Sequence, residues 1–225
     1  MNAQVNHVDL IPGLRRIESF SRDEMGDLCM DWTHAVYPHD EIYGDFCTLQ
    51  TYVDCPPDAL FAYLADMRSL EEWTWSTRDF ACLDDSGLAV GRDQLADDTK
   101  IFCRVESNAQ ARTVDYHCAW DQGEQLWMVY LMRVIDAQVV LGKPGSVVTW
   151  TNCKHPNYDN NPAPETAPTS REAWVGDFWP MFYAGHLVEL QNLQRIVEHR
   201  HAQGLPISPW TDDFAATRRI DVKEL

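Results

Sequence analysis

The feature that most constrains this chain is its middle, where six strand-like runs follow one another with only short breaks between them. The runs cover 76–83, 88–95, 100–107, 111–121, 125–138 and 146–155. The run ahead of them at 46–54 is β-branched and aromatic, text that fits a pleated, half-buried surface. The breaks are turn text: Asp84-Asp85-Ser86-Gly87, Ser107-Asn108, Asp121-Gln122-Gly123 and Lys143-Pro144-Gly145. Links this short leave no room for the crossover a parallel pair needs, so the runs are expected to form an antiparallel meander. One more run at 46–54 brings the expected total to about seven strands.

Helical text flanks the sheet. Ser21 stands three residues before Glu24, the spacing of a capping box, and a helix is expected from about Asp23 to Val36, stopped by Pro38. Pro56-Pro57-Asp58 opens a short helix through Met67, and a second short helix or turn ends near Trp73. After the Pro-rich loop 157–170 the chain reads as helical to about His201, with Gly204 and Pro206 as stop signals. The division that follows is an extension over 1–45 packed on the domain, a main domain over 46–204 and a tail over 205–225.

Charge and composition narrow the partners. A net charge of −17 argues against nucleic acid and against an anionic membrane surface, both of which call for clustered Lys and Arg. No stretch approaches the roughly 18–20 apolar residues of a membrane span. The opening MNAQVNHVDLIPG has neither a basic region nor an apolar run, so no signal peptide is expected. Seven cysteines without a CxxC pair, several alternating with apolar residues, read as buried thiols in a reducing cytoplasm. They also lack the Cys-x-His pairs of a Rieske cluster. The nine tryptophans suit a large core or a pocket for a flat, greasy molecule.

Strand, two short helices, six strands and a long helix is an order that resembles the helix-grip superfamily, which includes START domains, birch-pollen-allergen-like proteins and bacterial polyketide cyclases. The resemblance runs from about Phe46 to Gly204 and is most family-like over 52–67, Tyr-Val-Asp-Cys-Pro-Pro-Asp-Ala-Leu-Phe-Ala-Tyr-Leu-Ala-Asp-Met, followed by Glu72-Trp73. It implies an α+β fold, a curved antiparallel sheet wrapped around a long C-terminal helix, with a cavity for a hydrophobic small molecule between them. It implies no single chemistry.

The long helix can be read at 100° per residue. Phe178, Trp179, Phe182, Leu190, Leu193 and Val197 then form one apolar stripe, with His186 in its middle. An imidazole facing the sheet is either a hydrogen-bonded core residue or a general acid or base or metal ligand. Glu189, three residues on, is expected to face solvent. His155, at the end of the last strand, and Arg133, interrupting an apolar run, join His186 as candidate catalytic residues. Phe182, Trp179, Tyr183, Trp150 and Trp127 are the candidate substrate-binding residues. Asp115 and His117 share one strand face, expected to be the wet one.

The extension holds Asp27-Leu-Cys-Met-Asp31-Trp-Thr-His34-Ala-Val-Tyr-Pro-His39. Its D-x-x-H-x-x-x-x-H core resembles the iron-binding segment of Rieske-type ring hydroxylases. The resemblance implies His34 and His39 as ligands of Fe(II), Asp31 as their support, and Asp177 near the start of the last helix as the third ligand. Without a Rieske cluster, electrons would come from a redox partner or from the substrate. Pro38 before His39, and the place of the segment ahead of the first strand, depart from that family. Three readings are therefore open. One is a non-haem iron oxygenase acting on a polyketide-like or aromatic molecule. The others are a metal-free polyketide cyclase or dehydratase using His186, His155 and Arg133, and a non-catalytic carrier of a hydrophobic ligand.

Overall fold

The computed structural model describes residues 7–36 and 44–210. His39 and the tail beyond Trp210 lie outside that range. Seven strands form one sheet: β1 (Phe46–Val53), β2 (Thr77–Cys82), β3 (Ala89–Asp93), β4 (Lys100–Asn108), β5 (Thr113–Trp120), β6 (Met128–Asp136) and β7 (Ser146–Cys153). Their spatial order is β1-β7-β6-β5-β4-β3-β2, and every neighbouring pair is antiparallel. The expected meander is thus β2 to β7, with β1 added beside β7.

Period-two alternation sets the two faces. On β5, Val114, Tyr116, Cys118 and Trp120 are buried, whereas Asp115 and His117 are only partly covered. β2 carries a bulge between Arg78 and Ala81, where Asp79 takes a φ of 59°. Gly91 lies opposite it; a Cβ there would stand 2.8 Å from the Arg78 carbonyl oxygen, so only glycine lets the bulged strand approach.

The helices are α1 (Arg22–Val36), α2 (Pro57–Ala65), α3 (Leu70–Trp73), α4 (Ala137–Leu141) and α5 (Phe182–Ala202). The capping box forms: Ser21 N donates to Glu24 Oε2 at 2.8 Å and Glu24 N to Ser21 Oγ at 3.4 Å. α4 was not expected. Its Val-Val-Leu text reads as more strand, but Asp136 caps it by accepting from Gln138 N at 2.9 Å, and Gly142 ends it in the left-handed conformation. The predicted long helix is two pieces, a 3₁₀ segment Val175–Met181 holding Pro180 and then α5. Asp177 caps the first piece, its Oδ2 accepting from Trp174 N at 2.7 Å.

α5 lies across the sheet. Leu190, Leu193, Ile196 and Val197 are fully buried, and burial of each such side chain contributes about 1.5–3 kcal/mol. α1 packs on α5, with Met25 and Cys29 in a cluster with Ala184 and Val188. At the far end of α5 a buried ion pair ties the helix down. Arg200 donates to both carboxylate oxygens of Glu72 at 2.8 and 2.9 Å, and each side chain is 1% exposed. Tyr63 Oη and Trp210 N donate to the same carboxylate at 2.6 and 2.7 Å. No helix of the described residues is long and apolar enough to cross a membrane.

Candidate functional site

The inner face of the sheet does not fill the space beneath α5. A cavity of about 570 Å³ remains, within the range of small-molecule sites. Ile101, Tyr116, Cys118, Met128, Tyr130 and Trp150 form its floor, and Trp73, Trp75 and Phe80 stand at one side. The roof comes from Phe182, Gly185, His186 and Glu189, an i, i+3, i+4, i+7 row along α5, together with Met25, Gly26 and Cys29 of α1.

His186 sits in that roof among aromatic rings. It stacks on Trp150 with ring centroids 4.5 Å apart and planes 27° apart, and it touches Phe182 at 4.9 Å and the edge of Tyr130 at 5.5 Å. Its Nδ1 lies 3.1 Å from Glu189 Oε2, while Nε2 is buried with no hydrogen-bond partner. With the proton on Nδ1, held by the carboxylate, Nε2 presents a lone pair. Glu189 is itself fixed, since Oε1 accepts from Trp75 N at 2.9 Å. The expectation that Glu189 faces solvent is corrected on this point. The chain bends between α3 and β2, and Glu189 supplies the acceptor for the Trp75 amide there.

Asp93, not singled out from sequence, is a second cavity carboxylate. Its Oδ1 accepts from Ser76 Oγ at 2.6 Å and Leu95 N at 3.0 Å, and Oδ2 from Trp120 Nε1 at 3.0 Å. Burial pushes this carboxyl up; the three donors pull it partly back, and the charge of Glu189 adds to the rise. The surroundings of the cavity thiols disfavour the thiolate. Burial and the Glu189 charge push Cys29 up to about 12, and Cys118, hydrogen-bonded to the buried Cys103, is raised well above its ordinary value.

The segment after the Pro-rich loop closes the cavity's other side. Arg171 lies 4.8 Å over the Trp120 ring and pairs with Asp121, donating at 3.1 and 2.5 Å, with a further bond of 2.8 Å to Thr99 Oγ1. At the rim, Arg22 Nη2 meets Asp97 Oδ1 at 2.7 Å across from α1.

Of the residues proposed from sequence, His186, Phe182 and Trp150 line the cavity. Arg133 does not. It is exposed on the outer face of β6, opposite in phase to the buried Met132 and Val134. His155 and Trp127 form a separate aromatic layer: their rings lie 5.5 Å apart, Trp127 meets Tyr158 edge-on at 4.9 Å, and His155 Nδ1 accepts from Asn157 N at 3.1 Å. Trp179 is in the buried stripe, but it packs on Tyr158 at 5.0 Å and Phe182 at 5.2 Å rather than on the cavity. Tyr183 packs against the core and is also absent from the cavity wall. The stripe on α5 is wider than the cavity it covers, so burial alone overcounts lining residues. His34 is exposed on α1 and Asp177 is exposed at its capping position. Among the described residues no group of three or more His, Cys, Asp and Glu could hold a metal ion. The set His34, His39 and Asp177 includes a residue outside them.

A family model described as a domain of unknown function (DUF8713) matches residues 45–148. No curated protein matches the chain. Among solved structures it is similar to the Zhui aromatase/cyclase from Streptomyces sp. R1128, at 15% identity and a TM-score of 0.50, covering 71% of this chain and 98% of that one. It is similar also to a START superfamily protein from Mycobacterium smegmatis, at 12% identity and a TM-score of 0.44, covering 71% and 99%. The likeness to the aromatase/cyclase is one of fold. With the seven-stranded sheet, the N-terminal helix and the long C-terminal helix, it identifies the architecture as a helix-grip fold.

Proposed function

We propose that this chain is an enzyme that holds a polyketide-like or aromatic molecule beneath α5 and moves protons on it with His186, as a cyclase or dehydratase would. The observation that carries this reading is the arrangement at His186. One ring nitrogen is held by a partly buried carboxylate, and the other has no partner at the wall of an aromatic cavity. Buried nitrogens are ordinarily paired, so an open Nε2 at the wall of a cavity supports a role toward a ligand.

In the proposed reaction Nε2 takes a proton from a carbon flanked by carbonyls, giving an enolate and an imidazolium that Glu189 stabilises. The enolate carbon forms a C–C bond to a second carbonyl carbon of the same molecule. That carbonyl's oxygen becomes an alkoxide and takes the proton back from the imidazolium. The aromatic walls hold the two ends together, replacing a search through open conformers. Similarity to an aromatase/cyclase supports the scaffold for such chemistry but does not carry the chemistry itself.

The test uses benzoylacetone, a phenyl-substituted β-diketone, in D₂O, with exchange of its central C–H followed by NMR. The wild-type chain should accelerate exchange over buffer, and His186→Gln should remove the acceleration while keeping its melting temperature. No acceleration by the wild-type chain, or full acceleration by the variant, would sink the proposal. Binding of the diketone without acceleration would favour the carrier reading.

A further inference from the structure

The charges on the cavity wall are unbalanced. Two arginines and four carboxylates border the cavity; Asp93 and Glu189 lie within it, whereas Asp97 and Glu172 are exposed at its rim. Both arginines are already engaged, Arg22 with Asp97 and Arg171 with Asp121. Among the described residues, no guanidinium or ammonium pairs with Asp93 or Glu189; Glu189 has only the His186 imidazole. A ligand carboxylate or phosphate placed here would meet buried negative charge with no spare cation.

A second observation points to a polar ligand. Trp150 is 2% exposed and lies on the cavity wall, yet its Nε1–H has no partner, and neither has His186 Nε2. A plain hydrocarbon would leave the donor and the acceptor unsatisfied, which costs about 1–3 kcal/mol for each buried group, and the Trp150 N–H calls for an acceptor on the ligand's skeleton, separate from any cationic group. The surrounding rings of Trp73, Trp75, Tyr116, Tyr130, Trp150 and Phe182 present π-faces and edges, a surface that favours cations.

We infer that the cavity selects ligands bearing a protonated amine on an aromatic or alicyclic skeleton, with Asp93 and Glu189 as its counter-charges. This rests on the reading of the cavity as the substrate site and narrows the substrate to its cationic members. The chain's net charge of −17 would steer such a ligand inward.

The experiment is isothermal titration of the full chain, at neutral pH and low salt, with naphthylmethylamine, naphthylmethanol and naphthoic acid. These share a ring system and differ in the charge of one substituent. The amine should bind at least about tenfold tighter than the alcohol, with the acid weakest. Glu189→Gln should reduce the amine's advantage by about fivefold or more, and so should Asp93→Asn. Asp93 also pins Ser76 and Trp120, so the Glu189 variant carries the test if the Asp93 variant does not fold. Equal affinity for all three probes, or a preference for the acid, would overturn the inference and leave the cavity reading standing. An amine preference untouched by both variants would overturn the assignment to these carboxylates. Failure of every probe to bind would overturn the cavity reading and this inference with it.

Discussion

Replacing Arg200 with methionine tests whether the fold depends on the buried pair at the far end of α5. The guanidinium makes two bonds to Glu72 in surroundings where both side chains are 1% exposed. Methionine fills much of the volume but leaves the carboxylate buried with only the Tyr63 hydroxyl and the Trp210 amide as donors. Breaking a buried pair by removing one partner costs about 3–5 kcal/mol. That is a large share of the roughly 5–15 kcal/mol that holds a typical domain together. With a urea slope near 2–3 kcal/mol/M, the midpoint should fall by about 1–2 M, read by tryptophan fluorescence. The double variant Glu72→Gln/Arg200→Met removes the stranded charge and should recover most of the loss. Glu72 is followed by Trp73, which meets Trp150 edge-on at 5.6 Å, so the single variant should also loosen the cavity floor and weaken the naphthyl probes. A midpoint shift below about 0.3 M in Arg200→Met would refute the reasoning, since it would mean that the carboxylate finds solvent or other donors cheaply.

Two further outcomes are expected. Arg133→Ala and His155→Ala should leave diketone exchange and probe binding within about twofold of wild type, His155→Ala losing about 1 kcal/mol of stability with its ring contact to Trp127; a large loss of exchange in either would return that residue to the site. At Glu18, burial pushes the carboxyl up, but the hydrogen bonds and charge of Arg78 outweigh it and hold it below its ordinary value. A depressed folded pKa stabilises above the unfolded value and is lost as pH falls through the folded one. The melting-temperature gap between wild type and Glu18→Gln should therefore be full at neutral pH and close in acid below about pH 4; a gap independent of pH would count against the pair.

The sheet was legible because alternation and turn residues are local signals. Asp84-Asp85-Ser86-Gly87 and Lys143-Pro144-Gly145 mark real links, and the strands between them fall within a few residues of their expected bounds. α4 was illegible because Val139, Val140 and Leu141 have strand text, and only the Asp136 cap and Gly142 make them a helix. His186 could be found from helical periodicity alone. Glu189 and Asp93 could not, because what draws them inward is a distant partner: the Trp75 amide for one, Ser76 and Trp120 for the other. Arg133 misled because a cation within an apolar run has no phase until the inner face of the strand is known.

The cavity's two surfaces come from different parts of the sequence. Of the floor, Ile101, Tyr116, Cys118, Met128 and Tyr130 belong to the region 45–148 that the family model matches and Trp150 falls just beyond it, whereas Met25, Cys29, Phe182, His186 and Glu189 of the roof lie well outside it. A chain could therefore keep this floor nearly unchanged and exchange its roof, acquiring a different ligand and a different reactive group with no change of fold. The pieces to graft between such proteins would be the two helices that cover the sheet, and the strands would serve as a common chassis.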